Sequence, residues 1–252
     1  MHRALPALSP MLRHLVLAFG LGAALLGAPD AHAQKTTPDA STFAAAFAGD
    51  WLIFDGRYAT AATPCRIQLK AEGDPLAVIT QDCHSAMTEV KFWRIEAGQL
   101  HLVTAGGLFA RLGGTTARVS GWDKAGEPLV LDRDAGPALA DPIIFARKTK
   151  GCWFVGYSDK CATAAQAHKP AEKNARICTV VDLKLRGEAR PEASVVGVLP
   201  AQTCIETEVC ATTATGPWCF IRFATAAGWA RQYALRQEEW PVLTFVADEA
   251  AD

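Results

Sequence analysis

Between Asp50 and Arg133 the chain breaks into short apolar runs, with glycine in most of the gaps. The runs are Trp51–Phe54, Cys65–Leu69, Leu76–Ile79, Phe92–Ile95, Leu100–Thr104, Leu108–Leu112, Ala117–Trp122 and Leu129–Leu131. Cys65, Ile67 and Leu69 alternate with Arg66, Gln68 and Lys70, the period of a half-buried strand. The gaps hold Gly73-Asp74-Pro75, Gly98, Gly106-Gly107, Gly113-Gly114 and Gly126, which are turn signals. Strands in this rhythm predict a sandwich or a barrel. A second run follows a polar, alanine-rich stretch over Ala162–Arg176, read as a linker. It comprises Cys178–Val181, Val195–Leu199, Cys204–Cys210, Trp218–Phe223 and Gly228–Ala230, enough for a small barrel. A core that small is marginal by itself, and disulfides would offset that. The expected class is all-β, with two modules.

The N-terminus reads as an export signal. Arg3, Arg13 and His14 precede an apolar run from Leu15 to Ala28, and Ala31-His32-Ala33 is a small-x-small cleavage site. A spanning helix needs about 20 apolar residues, and this run is shorter. The mature chain is expected to begin at Gln34, to be periplasmic or secreted, and to carry no membrane anchor. Gln34–Ser41 is polar and contains Pro38, so an extended arm is expected over 34–47. Within it, Thr42–Ala48 would form a helical turn or two, with Phe43 and Phe47 at i, i+4 and Ser41 as cap. The full chain has net charge −1, and loss of Arg3, Arg13 and Asp30 moves this by one unit only. Such a balance gives no electrostatic case for nucleic acid.

Eight cysteines lie beyond the signal: Cys65, Cys83, Cys152, Cys161, Cys178, Cys204, Cys210 and Cys219. An even number in an exported chain implies disulfides, and spacing alone does not choose among the pairings. There is no C-x-x-C and no Cys/His zinc spacing, so neither a metal site nor a redox centre is expected. No catalytic residues or cofactor are expected either. His84 follows a cysteine, His101 lies among apolar strand residues at a surface or barrel-edge position, and His168 lies in the linker. The paired glycines lack the Lys/Ser and helix of a phosphate loop and read as hairpin turns. Trp51 and Trp93 are core candidates. Trp153, Phe154 and Tyr157 are expected either to pack between the two barrels or to form a contact patch. Ile143–Ala146 is a possible strand, Arg147–Lys150 a solvated basic run, and 239–252 a tail.

Two resemblances add to this. Residues 42–133, with a barrel over 48–133, resemble the AprI/Inh family of bacterial metalloprotease inhibitors. Ala48-Gly49-Asp50-Trp51 is similar to that family's opening A-G-x-W, and Cys65-Arg66-Ile67-Gln68-Leu69 to its C-x-I-x-L strand. Phe92-Trp93-Arg94 with Gly98–Leu102 is similar to its W-R…G-L-x-L, Gly107–Ala110 to its G-x-x-x-A-F region, and Pro128–Arg133 to its closing L-x-L-x-R. The resemblance implies an eight-stranded antiparallel, lipocalin-like barrel with a Cys65–Cys83 bridge. It also implies that the arm enters the cleft of a secreted zinc metalloprotease of the serralysin type, with the terminus at the zinc. Gln34, Lys35, Thr36, Thr37 and Pro38 are the arm candidates. They do not match the family's own arm, so none of its contacts carries over to them individually.

Residues 177–238 resemble a bacterial SH3 domain. Leu183-Lys184-Leu185-Arg186 stands for L-N-V-R, Val195–Ala201 for V-I-G-x-L-P-x-G, Trp218–Ile221 for G-W-x-x-V, Gly228-Trp229-Ala230 for G-W-V, and Tyr233-Ala234-Leu235 for the final Y-L. The resemblance implies a small SH3-like barrel that contacts peptidoglycan peptides or an envelope protein. Lys184, Gly187-Glu188-Ala189 and Gln202 depart from the pattern. Cys210 and Cys219 flank a plausible hairpin here, which would leave Cys178 for Cys204 and Cys152 for Cys161. Two readings follow: a protease inhibitor carrying an envelope-binding module, or a non-inhibitory envelope scaffold.

Overall fold

A computed structural model describes residues 40–60, 63–134 and 142–248, and these described residues lie in one compact unit. The first part is a closed eight-stranded antiparallel barrel. Its strands are β1 (Gly49–Ile53), β2 (Cys65–Leu69), β3 (Leu76–Gln81), β4 (Val90–Glu96), β5 (Gln99–Thr104), β6 (Gly107–Gly114), β7 (Arg118–Asp123) and β8 (Pro128–Arg133). Neighbours in sequence are neighbours in space, and β8 returns to pair with β1. Closure leaves no unpaired edge. Alternation sorts the side chains: on β2, Cys65, Ile67 and Leu69 are buried while Arg66 is exposed. Trp51 and Trp93 lie in the core, as their sequence context implies, together with Ile53, Leu102, Leu112 and Leu129. The Trp93 indole donates to the Lys70 carbonyl at 3.0 Å, so its polar edge costs nothing to bury.

Two short helices flank the barrel strands: α1 (Ala40–Phe47) before β1, and α2 (Ser85–Thr88) between β3 and β4. Met87 of α2 is fully buried in the barrel core. α1 starts at Ala40, so Ser41 stands inside the helix rather than at its cap. His101 differs from expectation, being only 5% exposed. It sits opposite Arg94 on one side and Arg111 on the other, whose long stems can cover it. Its Nδ1 lies 3.1 Å from Glu96 Oε2.

The second part is built of small sheets. Five strands, β11 (Leu183–Arg186), β12 (Val195–Leu199), β14 (Val209–Thr213), β15 (Gly216–Phe223) and β16 (Ala226–Arg231), run in the order β12-β11-β16-β15-β14. β10 (Arg176–Thr179) pairs with β13 (Cys204–Glu206) on one side and β19 (Phe245–Ala247) on the other. β17 (Tyr233–Arg236) pairs with β18 (Trp240–Leu243), which in turn pairs with β9 (Phe154–Val155).

Five expectations about the segments around this module change. Residues 239–248 are not a tail, because Leu243 and Phe245 are fully buried and Phe245 belongs to the module's core. Ile143–Ala146 is helical, within α3 (Pro142–Lys150). Pro142 suits a helix's first position, and Ile143 and Ala146, three apart, form the buried face. Residues 162–176 are strapped down rather than loose. Gln232 Nε2 donates to the His168 carbonyl at 2.9 Å, Cys210 N to Glu172 O at 2.8 Å, and Ala175 is in the core. Nor do the aromatics near Cys152 pack between the barrels. Trp153 stacks on Tyr233 at 4.1 Å and Phe154 meets Trp240 edge-on at 5.2 Å, while Tyr157 is 76% exposed. The basic run is partly engaged as well: Lys150 pairs with Glu239 and lies 3.8 Å over the Trp240 ring.

The four disulfides pair Cys65 with Cys83, Cys152 with Cys161, Cys178 with Cys204, and Cys210 with Cys219. Cys178 and Cys204 stand opposite each other in the β10–β13 ladder, as do Cys210 and Cys219 in β14–β15. Four bridges fit an oxidising periplasmic or extracellular compartment. No helix among the described residues is long and apolar enough to cross a membrane.

The two parts share a seam. Val130 of β8 packs with Ala211, Trp218 and Trp229, and Trp122 meets Phe220 and Trp229, each at 5.6 Å. Buried polar groups frame this patch. Arg118 pairs with Asp132 and reaches Thr215 Oγ1 at 3.3 Å, while Asp132 Oδ2 accepts from Ala214 N at 2.8 Å. On the other side Arg57 binds Asp55 and donates to the Cys210 carbonyl at 2.6 Å, and Asp55 Oδ2 accepts from Thr212 N at 2.9 Å.

Candidate functional site

The expected arm residues Gln34, Lys35, Thr36, Thr37 and Pro38 lie outside the described residues, as does the cleavage site. The described chain begins just after them, at α1. α1 is alanine-rich, a good helix former, and buries Ala44 against the barrel core. Phe47 stacks on Trp51 with centroids 6.4 Å apart and planes 9° off parallel. The Trp51 indole donates to the Phe47 carbonyl at 2.9 Å.

The last carbonyls of a helix have no partner within it. Arg133, the final residue of β8, supplies one. Its Nη2 donates to Ala46 O and its Nη1 to Ala48 O, both at 2.6 Å, and its Nε donates to Thr116 O at 3.1 Å. Its guanidinium also lies 4.5 Å over the Trp51 ring. A cation at a helix C-terminus opposes the helix dipole favourably. Burial pulls the Arg133 pKa down from the ordinary arginine value, and the charge of Asp50 opposes that. Gly49 completes the clasp. Its φ is +119°, and a Cβ there would stand 2.8 Å from Arg133 Nη1, so only glycine fits. The A-G-x-W stretch at 48–51 and the L-x-L-x-R stretch at 129–133 are therefore two halves of one contact. Each carries residues whose roles are invisible until the barrel closes.

A second candidate site is a cleft of about 450 Å³ in the second module. β11, the end of β16 and the β17–β18 hairpin wall it. Lys184, Arg186, Arg231 and Arg236 line it against a single carboxylate, Asp182, and Trp218 forms part of the wall. Among the described residues, Lys184, Arg186 and Arg236 have no carboxylate partner. Arg186 donates to Ala193 O at 2.7 Å, and Arg236 to Gly156 O at 3.3 Å. Tyr157 stands at the rim, so the aromatic loop contributes to a site inside one module rather than between two. Sequence reasoning missed Arg231 and Arg236 here. Both stand directly beside stretches read as SH3-like, Gly228–Ala230 and Tyr233–Leu235, and only Val242 and Thr244 of the lining come from the segment read as a tail.

Neither a protein-family model nor a curated protein matches this chain. Among solved structures, the antimicrobial peptidase lysostaphin from Staphylococcus simulans aligns over 73% of this chain and 87% of its own. The identity is 13% and the TM-score 0.25.

Proposed function

We propose that this chain is an exported, non-enzymatic binding protein of the metalloprotease-inhibitor type. The arm Gln34–Pro38, freed by cleavage after Ala33, enters the cleft of a secreted zinc protease of the serralysin type. An extended arm can add to a protease as substrates do, and a terminal amine or carbonyl can take the position of the zinc-bound water. The zinc belongs to the partner. The observation that carries this reading is the clasp of Arg133, Trp51 and Phe47. It holds α1 against the barrel within a few residues of the arm, so the arm would leave from a fixed point. A tether fixed at its root loses less entropy when its tip binds. The closed barrel and the Cys65–Cys83 bridge also agree with what the inhibitor resemblance implies.

The test is inhibition of a purified serralysin-type protease by the chain beginning at Gln34. Micromolar or tighter inhibition is expected, and deletion of Gln34–Thr37 should abolish it without changing the melting temperature. No inhibition by correctly processed protein would overturn the reading. A second reading, an envelope-binding scaffold, draws on the basic cleft around Lys184 and Arg186. It predicts co-sedimentation with peptidoglycan that Arg186→Ala and Arg236→Ala weaken.

A further inference from the structure

On the outer face of the first barrel lies an open trough of about 500 Å³, away from both the arm root and the basic cleft. The strand register builds it. Arg111 of β6 stands opposite Trp122 of β7, and Gly113 stands opposite Ser120. Leu100 pairs with Leu112, so Gln99 comes up beside Gly113 from the other flank. An outward position that would ordinarily carry a side chain is therefore a bare glycine, and Gly113 forms the floor. Glu188 of the second module overhangs it, 3.6 Å from where a Cβ would stand.

The walls have a definite chemistry. Trp122 is anchored from behind by Phe220 and Trp229 yet remains 39% exposed. Two cations, Arg111 and Lys124, face two carboxylates that already have partners, Glu188 paired with Arg190 at 2.9 Å and Asp123 accepting from Tyr58 and from Ala125 N. Ser120 contributes to the wall beside Gly113, but its hydroxyl oxygen is itself buried and faces away from any ligand in the trough's open space.

We infer that this trough binds a neutral oligosaccharide. A sugar ring offers a face of C–H bonds, which suits a half-exposed indole fixed by packing. Its rim of hydroxyls both donates and accepts, which suits amide, guanidinium and carboxylate groups held together. The alternatives fit less well. A polyanion would meet Asp123 and Glu188. A peptide added as a strand would need a free edge, and a closed barrel has none. The site depends on neither reading of the protein's function given above.

The experiment titrates triacetylchitotriose, cellotriose and maltotriose separately into the full mature chain, followed by calorimetry and tryptophan fluorescence. At least one should bind saturably with a dissociation constant of about 1 mM or tighter. Gly113→Val should weaken that binding by at least about tenfold, because it fills the floor. The nearest atoms to its Cβ would be those of the Glu188 carboxylate, at an ordinary 3.6 Å or more, so the melting temperature should move little. Arg111→Ala and Gln99→Ala should weaken binding roughly three- to tenfold without touching the aromatic seam. The inference is overturned if none of the three sugars saturates up to about 10 mM. It is equally overturned if Gly113→Val binds as the parent does, or if hexaglutamate binds the trough in their place.

Discussion

The first barrel and the second module solve the same problem in different ways. In the barrel, eight strands in sequence order close on themselves, so every interior strand has two neighbours and one disulfide suffices. The second module never closes. Its three small sheets leave edges, and β12 is one of them, with Val195, Val196 and Val198 exposed. Two cross-strand disulfides staple adjacent strands there, and a third ties down the loop that carries β9. Topological closure and covalent stapling thus substitute for one another. The smaller and more open module depends on covalent bonds and on distant segments to complete its core.

The sharpest way to break that contrast is to remove the staples. Replacing Cys178, Cys204, Cys210 and Cys219 by alanine should cost about 2–5 kcal/mol for each bridge lost. The second module should then melt near or below 37 °C while near-ultraviolet signals from Trp51 and Trp93 persist. Loss of both modules in one transition would show that the seam makes them a single cooperative body. Phe245→Ala removes a fully buried ring from the second core and should cost about 3–5 kcal/mol in denaturant unfolding. A change below about 1 kcal/mol would return residues 239–248 to the status of a tail.

The seam itself comes next. Arg118→Met strands Asp132 in a buried setting and should cost about 3 kcal/mol, less if Ala214 N alone can satisfy the carboxylate. Arg133→Met should act more locally. Amide exchange over α1 should rise as if about 1–3 kcal/mol of local stability were lost, with little change in the global melting temperature. If inhibition is real, its potency should fall with that variant. The smallest effect concerns pH. Tyr58 donates to Asp123 at 3.2 Å, and burial, reinforced by the charge of Asp123, raises its pKa above the ordinary tyrosine value. The folded state therefore holds this proton when the unfolded chain has released it. Stability should be unaffected below about pH 10 and fall as pH rises past it. Tyr58→Phe should flatten that alkaline slope and cost about 1 kcal/mol at neutral pH.

The barrel was legible in the sequence because its information is local. The strands announce themselves as short apolar runs, with alternation plain on β2, and glycine marks most of the connections. The all-β class, the eight runs and the core tryptophans follow from that, while a closed barrel rather than a sandwich is what the inhibitor resemblance implied. The clasp was only half legible, since Gly49 and Arg133 look unremarkable until β1 meets β8. His101 was misplaced because burial there comes from arginine stems on neighbouring strands, which no periodicity records. The second module was harder. β18 and β19 read as a tail because Pro241 and the short runs around it carry no repeat. Their role depends on pairing with β17, β9 and β10, and β9 and β10 lie far away in the chain. The trough was invisible for the same reason. Gly113-Gly114 read as a hairpin turn, and only the register shows that both belong to β6, with Gly113 facing outward between Gln99 and Ser120.

The position of β19 sets an order of events. Every strand of the barrel has been synthesised once Arg133 is made, and closure needs nothing later. The second module cannot fill its core until Phe245 has emerged, because that ring comes from a strand added beside β10 long after β10 itself. During synthesis or passage through a channel, the completed barrel would wait beside an unfinished partner with Val130 and Trp122 still uncovered. The seam then acts as a checkpoint. A chain cut short before β19 would carry an intact barrel and an exposed apolar flank, the kind of surface that quality-control proteases and chaperones are built to find.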